Sequence, residues 1–233
     1  MRILAIDTSG PNCSVAVIDE QKIIASFTIN IGKTHSETLL PLVDELSKFA
    51  NLSINDIDVF ACCVGPGSFT GIRIGIATIK GFALSLNKPV ISVSTLESLT
   101  YGIPTFDGLI CSVLDARNNN VYAALYEKDI SPKMIGHYMT DSITDMLEEI
   151  KKQERNVLFI GDGSISYHDQ IKQELSEQAV FAPHYCNEQS AIFVAIAALQ
   201  KYQNNEIENA DTLHPLYLKK SQAERQLENK NEV

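Results

Sequence analysis

The chain has 233 residues, of which 45% are hydrophobic, and its 29 acidic and 19 basic residues give a formal net charge of −10 at pH 7. A chain of this length can bury a hydrophobic core as one large domain or two small ones. The excess of acidic residues argues against direct binding of a nucleic-acid backbone by this chain alone, because such binding requires clustered Lys and Arg. It does not exclude that the chain acts on a nucleic acid through a basic partner.

The cysteines and the N-terminus indicate a reducing compartment. The five cysteines are odd in number and scattered, which favours free thiols over a disulfide framework. Cys62 and Cys63 are adjacent in a predicted strand, so their side chains should face opposite ways. No basic-then-apolar leader precedes Asp7, and no apolar run approaches the roughly 18 residues of a membrane span. We expect a cytoplasmic protein with no membrane anchor.

The first 50 residues predict a meander followed by a helix. Apolar runs at 3–8 and 13–18 flank a cluster of turn formers, and a third strand covers 22–29. Residues 35–50 repeat their apolar side chains at about 100° per residue, the period of a helix. Thr34 can cap this helix, with Glu37 placed three residues later as a capping box requires.

A strand, a glycine-rich turn and a helix follow one another between residues 57 and 87. This order usually suggests a phosphate cradle, because helix N-terminal amides point at anions. The mononucleotide loop needs a Lys directly after its last Gly, whereas the first basic residue here is Arg73, one position too late. The dinucleotide fingerprint needs a Gly where Thr70 stands, and Pro66 has no amide to donate. The segment Gly65–Gly71 therefore resembles a binding loop that lacks the usual phosphate chemistry.

The second half repeats the order of hairpin, helix and strand. Strands at 109–114 and 121–126 bracket a polar tip, and a further strand covers 157–160. Helical stretches are predicted at about 141–152, 166–177 and 188–203, and a short strand at 90–93 closes the first half. The pattern predicts a duplicated α/β architecture of mixed sheets with helices packed on them. We divide the chain into residues 1–100, residues 101–218 and a polar, mobile tail at 219–233.

Candidate catalytic groups converge on no mechanism. Asp7 ends the first strand, where a carboxylate could hold a metal-bound phosphate, or it could bond the turn's own backbone. Ser68 lacks the flanking glycines of a nucleophile elbow. Asp115 and Arg117 could form an anion site or a local ion pair that shapes an Asn-rich turn. Asp162, between two glycines, could line a cleft or belong to a tight turn.

The histidines do not suggest a metal site. They are His35, His137, His168, His184 and His214. None forms the i, i+4 pair that places two imidazoles on one helix face for zinc. His35 begins a predicted helix, where a surface or capping role is expected. The sequence therefore predicts neither a bound metal nor a cofactor.

The helix after the glycine loop is apolar on two sides. One stripe of large apolar residues should face the core, and a second arc is apolar or small. Leu40 also lies outside the main stripe of its own helix, so the two helices could present one apolar patch. Packing within the chain is the alternative. The predicted partner-binding residues are Leu40, Ile74, Ala77, Thr78, Gly81 and Leu84.

Several motifs resemble the bacterial TsaB family, also called YeaZ, of tRNA threonylcarbamoyladenosine biosynthesis. The matching stretches are Ile6–Ser9, His35–Pro41, Gly65–Arg73, Asp115–Arg117, Gly161–Gly163 and Pro215–Leu218. The long glycine motif is specific, whereas the three-residue matches alone would carry no weight. The resemblance implies the actin-like ATPase (ASKHA) fold, with two ribonuclease H-like subdomains.

The same resemblance implies a noncatalytic role. It implies pairing with the catalytic subunit TsaD, and with the ATPase TsaE, for transfer of threonylcarbamoyl from its adenylate to N6 of the adenosine beside the tRNA anticodon. It places the pairing, with TsaD or with a second copy, on helices at about 35–50 and 70–87, and it implies contact with tRNA only through the complex. An older label for this group is glycoprotease-like. A peptidase would need a pair of metal ligands or a nucleophile with its base, and neither is visible in this sequence. A nucleotide-binding ATPase acting on its own is the alternative, using Asp7 and the glycine turns.

Overall fold

The computed structural model describes residues 1–219. The tail predicted at 219–233 therefore lies outside the described residues, apart from Lys219. Within residues 1–219 the chain forms two five-stranded sheets, one after the other along the sequence.

The first sheet has the strand order β3-β2-β1-β4-β5. Its strands are β1 (Arg2–Asp7), β2 (Cys13–Asp19), β3 (Ile23–Ile29), β4 (Val59–Gly65) and β5 (Val90–Ser94). The β1–β2 and β2–β3 pairs are antiparallel, while β1–β4 and β4–β5 are parallel. Helices α1 (His35–Ala50) and α2 (Phe69–Leu86) make the crossovers, and α3 (Thr95–Thr100) follows β5.

The second sheet repeats this plan in the order β10-β9-β6-β7-β8, which is the first order read from the other edge. Its strands are β6 (Leu109–Asp115), β7 (Val121–Lys128), β8 (Pro132–Met139), β9 (Val157–Ile160) and β10 (Ala179–Phe181). The antiparallel and parallel pairs fall in the same places as in the first sheet. Its helices are α4 (Ile143–Lys151), α5 (Asp162–Ser166) and α6 (His168–Leu175), and α7 (Ala191–Gln203) comes last. The predicted duplication is therefore present.

The first sheet is buried on both faces, because its strands alternate between two cores. On β1, Leu4 and Ile6 face α1 and α2, while Ile3 and Ala5 face α7. Cys62 and Cys63 likewise lie in different cores, as predicted, and the five cysteines are free and buried. The division at residue 100 stays a proposal, since α7 packs on the first sheet although it follows the second in sequence.

Four short elements were missed, namely α3, α5, β8 and β10, and α6 is shorter than predicted. The predicted Thr34–Glu37 capping box is confirmed, with the Glu37 carboxylate accepting from the Thr34 backbone N–H at 3.2 Å. Among residues 1–219, α2 is the one helix that would qualify as a membrane span by length and mean hydropathy (1.3 over 18 residues), although Arg73 and Lys80 interrupt its apolar sequence. A core helix passes the same test, and one stripe of α2 packs on the first sheet.

Candidate functional site

Asp7 holds the turn that joins β1 to β2. Its side chain is buried, and Oδ1 accepts hydrogen bonds from the backbone N–H and the hydroxyl of Ser9, at 2.9 and 2.7 Å. Oδ2 accepts from the Cys63 thiol at 3.2 Å. Burial raises the pKa of Asp7, and the Ser9 hydrogen bonds oppose that shift. The carboxylate thus bonds its own turn, which is the structural alternative considered from the sequence.

The glycine loop packs backbone to backbone against this turn. The Ser68 N–H donates to the Ser9 carbonyl at 2.7 Å, and the Thr8 hydroxyl donates to the Gly71 carbonyl at 2.8 Å. A Cβ at Gly71 would lie 2.0 Å from the Thr8 carbonyl oxygen, and one at Gly67 would lie 2.3 Å from that of Ser9. The glycines are therefore required for contact within the protein, at the place where a phosphate loop would use them for a nucleotide. Ser68 caps α2 by accepting from the Gly71 N–H at 3.2 Å.

His35 joins the start of α1 to the same turn. Its Nε2 lies 2.9 Å from the Gly10 carbonyl oxygen. A carbonyl only accepts, so Nε2 carries the proton in this contact. Nδ1 is buried and has no hydrogen-bond partner among residues 1–219. The expected surface or capping role is thus replaced by a tie between α1 and the β1–β2 turn.

The predicted partner-binding residues, here called the pairing face, lie on neighbouring surfaces of α1 and α2. They are Leu40, Ile74, Ala77, Thr78, Gly81 and Leu84. Leu40 and Leu84 are 56% and 59% exposed, and Ala77 and Gly81 are also exposed. A Cβ at Gly81 would meet nothing within 4 Å. Ile74 and Thr78 are half-buried, and Ile74 packs partly against the core. Apolar and small side chains thus cover exposed turns of α2.

A cation–aromatic cluster at one end of α2 was not anticipated. The Phe69 and Tyr217 rings stack with centroids 4.4 Å apart, and the Arg73 guanidinium lies 4.2 Å from the Phe69 centroid. The Arg73 Nε–H donates to the Tyr217 hydroxyl at 2.7 Å, and the Leu216 N–H donates to the Val64 carbonyl at 2.7 Å. The Pro215–Leu218 motif therefore packs on the first sheet and on α2.

A cleft of about 990 Å³ lies between the two sheets. It brings together the β1–β2 turn, the glycine loop, Asp115, Arg117 and Asp162. Asp115 accepts from the backbone N–H of Arg117 at 2.7 Å and from the Tyr167 hydroxyl at 3.0 Å, so its hydrogen bond to Arg117 goes to the backbone and not to the guanidinium. Asp162 Oδ1 accepts from the Asp115 N–H at 3.0 Å, and burial raises the pKa of Asp162. Both carboxylates thus organise the hairpin tip and also line the cleft.

Among residues 1–219, no group of three or more His, Cys, Asp and Glu side chains is arranged to hold a metal ion.

The candidate catalytic residues from the sequence lie in two places. Asp7 and Ser68 lie at the glycine loop, and Asp115, Arg117 and Asp162 lie across the cleft.

Comparison with known proteins gives the family. The model of the family described as TsaD, tRNA N6-adenosine threonylcarbamoyltransferase, matches residues 22–227. The tRNA threonylcarbamoyladenosine biosynthesis protein TsaB of Bacillus subtilis is 36% identical over 75% of this chain and 76% of its own length. The chain belongs to the TsaB family. The resemblance noted in the sequence is confirmed.

Solved structures agree with this assignment. A Pseudomonas aeruginosa protein with similarity to the peptidase YeaZ superposes with a TM-score of 0.82 at 26% identity, covering 94% of this chain and 99% of that one. A hexokinase of Thermus thermophilus superposes with a TM-score of 0.53 at 8% identity, covering 88% of this chain and 100% of that one. At 8% identity the hexokinase shows the fold alone. The chain has the actin-like ATPase (ASKHA) fold, as predicted.

Proposed function

We propose that this protein is a noncatalytic accessory subunit that pairs with a TsaD-type threonylcarbamoyltransferase. In the proposed complex, which includes a TsaE-type ATPase, threonylcarbamoyl passes from threonylcarbamoyl-AMP to N6 of the adenosine 3′ to the tRNA anticodon. The TsaB relatives are named for tRNA threonylcarbamoyladenosine biosynthesis, and the family model that matches this chain is described as TsaD. A partner with the same fold would offer equivalent helices, so the two chains could pair in a pseudo-symmetric way.

The observation that carries this proposal is the pairing face. Small and apolar residues on exposed turns of α2 allow another helix to pack closely. A helix surface that faces only water usually carries polar and charged residues instead. A groove of about 630 Å³, lined in part by Leu40 and Phe82, lies beside it and could accept a partner's side chains. In the absence of TsaD, a second copy could occupy the same face.

The noncatalytic part of the proposal rests on Asp7 and the glycine loop. Both oxygens of the Asp7 carboxylate already accept hydrogen bonds within the fold, and the side chain is 1% exposed. Gly67 and Gly71 of the loop face the backbone of Ser9 and Thr8. A carboxylate and a loop used in this way are poorly placed to hold a metal-bound phosphate. With a net charge of −10, contact with tRNA is proposed to come through the complex.

The test is to place a charge in the pairing face. Ala77→Arg and Gly81→Arg each add a long cation to an exposed turn of α2, where it can stay solvated in the monomer but would be buried in the complex. We expect both variants to fold and to lose binding to the TsaD-type subunit in calorimetry. Gln173→Arg adds the same charge to an exposed position of α6 and is the control. Undiminished binding by Ala77→Arg would show that the pairing face is wrongly assigned.

Nucleotide binding in the cleft is the second candidate. Its volume of about 990 Å³ is within the range of small-molecule sites, and Arg117 and Lys33 line it. Calorimetry of the isolated protein with magnesium and ATP separates the two candidates. Micromolar binding that is lost in Arg117→Ala would favour the nucleotide-binding alternative.

A further inference from the structure

The two helices of the pairing face are tied to one short turn. The residues Thr8, Ser9 and Gly10 each make one contact to a helix start. Thr8 donates from its hydroxyl to the Gly71 carbonyl, and the Ser9 carbonyl accepts from the Ser68 N–H. The Gly10 carbonyl lies 2.9 Å from Nε2 of His35, the first residue of α1. Three successive residues thus hold both α1 and α2.

The contacts to α2 and α1 also meet each other. A Cβ at Gly71 would lie 2.9 Å from Cδ2 of His35, so the imidazole packs directly on the backbone of the first turn of α2. The β1–β2 turn is itself held by the buried Asp7, whose carboxylate accepts the two hydrogen bonds from Ser9. A change in the position of the turn would therefore change the start of both helices together.

We infer that the Thr8–Gly10 turn is a shared clamp that sets the relative placement of α1 and α2, and that His35 is the positioning residue that fixes α1 to it. The inference rests on the proposed function, because it concerns the geometry of the proposed pairing face. His35 contacts no partner in this scheme. It acts by holding Leu40, about 1.4 turns further along α1, beside the exposed turns of α2.

Two substitutions separate the hydrogen bond from the bulk of the ring. His35→Phe keeps an aromatic ring against Gly71 but cannot donate to the Gly10 carbonyl. His35→Gln has a terminal amide N–H that can reach the same acceptor. If α1 is no longer held, partner binding must order it, and this weakens affinity by roughly five- to tenfold, the equivalent of one net hydrogen bond.

The measurement is the dissociation constant for the TsaD-type subunit, by calorimetry on full-length chains, with thermal unfolding recorded for each variant. We expect His35→Phe to bind roughly five- to tenfold more weakly and His35→Gln to return to within about twofold of the natural chain. Equal binding by all three chains would overturn the inference, and so would equal weakening by Phe and Gln. Ala77→Arg in the same series tests the proposed function separately: if it also binds normally, the pairing face itself is wrong.

A second pair of variants, at Thr8, keeps the test valid if His35→Phe does not fold. Thr8→Val removes the hydroxyl that donates to the Gly71 carbonyl at nearly constant volume, whereas Thr8→Ser retains it. We expect Val to weaken partner binding roughly five- to tenfold and Ser to preserve it. Equal affinity of the two variants would overturn the clamp.

Discussion

Replacing Gly71 with Ala tests the close approach between α2 and the β1–β2 turn. The new Cβ would lie 2.0 Å from the Thr8 carbonyl oxygen, whereas ordinary van der Waals contact begins at 3.4 Å. The start of α2 must then move by 3.4 − 2.0 = 1.4 Å. The obstructing atom belongs to the backbone of the buried Thr8, which directly follows β1, so the helix must move rather than a side chain.

The movement breaks identifiable hydrogen bonds. The Ser68 N–H to Ser9 carbonyl bond, at 2.7 Å, and the Thr8 hydroxyl to Gly71 carbonyl bond, at 2.8 Å, would both lengthen beyond useful range. Two lost bonds cost about 1–3 kcal/mol in the free energy of unfolding. The helix propensity of Ala offsets up to about 1 kcal/mol of this.

Gly81→Ala is the matched control, because it makes the same substitution in the same helix at a position where the Cβ meets nothing within 4 Å. It should stabilise the protein by about 0.4–1 kcal/mol. The propensity gain is common to both variants, so it largely cancels in the difference between them, which should be about 1–3 kcal/mol. Urea unfolding followed by far-ultraviolet circular dichroism measures it. Equal stabilities for the two variants would refute the packing of the glycine loop on the turn.

Two further predictions concern buried and stacked groups. Burial raises the pKa of Asp7 above its ordinary 3.8, so the folded state holds the proton more tightly and wild-type stability falls, relative to Asp7→Asn, as pH rises from 3.8 through the folded pKa. Urea unfolding of both chains across that range checks this, and a constant difference would contradict it. Tyr217→Ala should cost about 1–2 kcal/mol by removing the stack on Phe69 and the acceptor for Arg73, whereas Tyr217→Phe should cost about half as much. Equal losses in urea unfolding would show that the ring stack contributes nothing.

Local signals in the sequence predicted the elements whose formation depends on neighbouring residues in the chain. The meander, the capping box at Thr34 and Glu37, and the two-sided α2 all depend on residues close in the chain. The repeated order of hairpin, helix and strand predicted the duplicated sheets for the same reason.

The missed elements depend on their neighbours. The strand β8 begins at Pro132 and contains Gly136 at a φ of +76°, so it shows no alternating pattern and is stabilised by pairing with β7. The strand β10 has three residues, α5 has five and α3 has six, and these lengths are too short for a period to be detected.

The site was predicted in part. A structural role for Asp7 was among the alternatives, because Asp commonly bonds the backbone two residues on. The contact of His35 with Gly10 and that of Arg73 with Tyr217 span 25 and 144 residues, and nothing in local sequence encodes such contacts. The Tyr217 segment was matched as a motif, but its packing on α2 required the fold.

In the proposed function, this protein works by pairing through α1 and α2. The most direct test is the mass, by light scattering, of the species formed when the purified protein is mixed with the TsaD-type subunit of the same organism. We expect a stable complex containing both chains, which Ala77→Arg abolishes and Gln173→Arg leaves intact. Separate elution of the two natural chains, or a complex that survives Ala77→Arg unchanged, would contradict it.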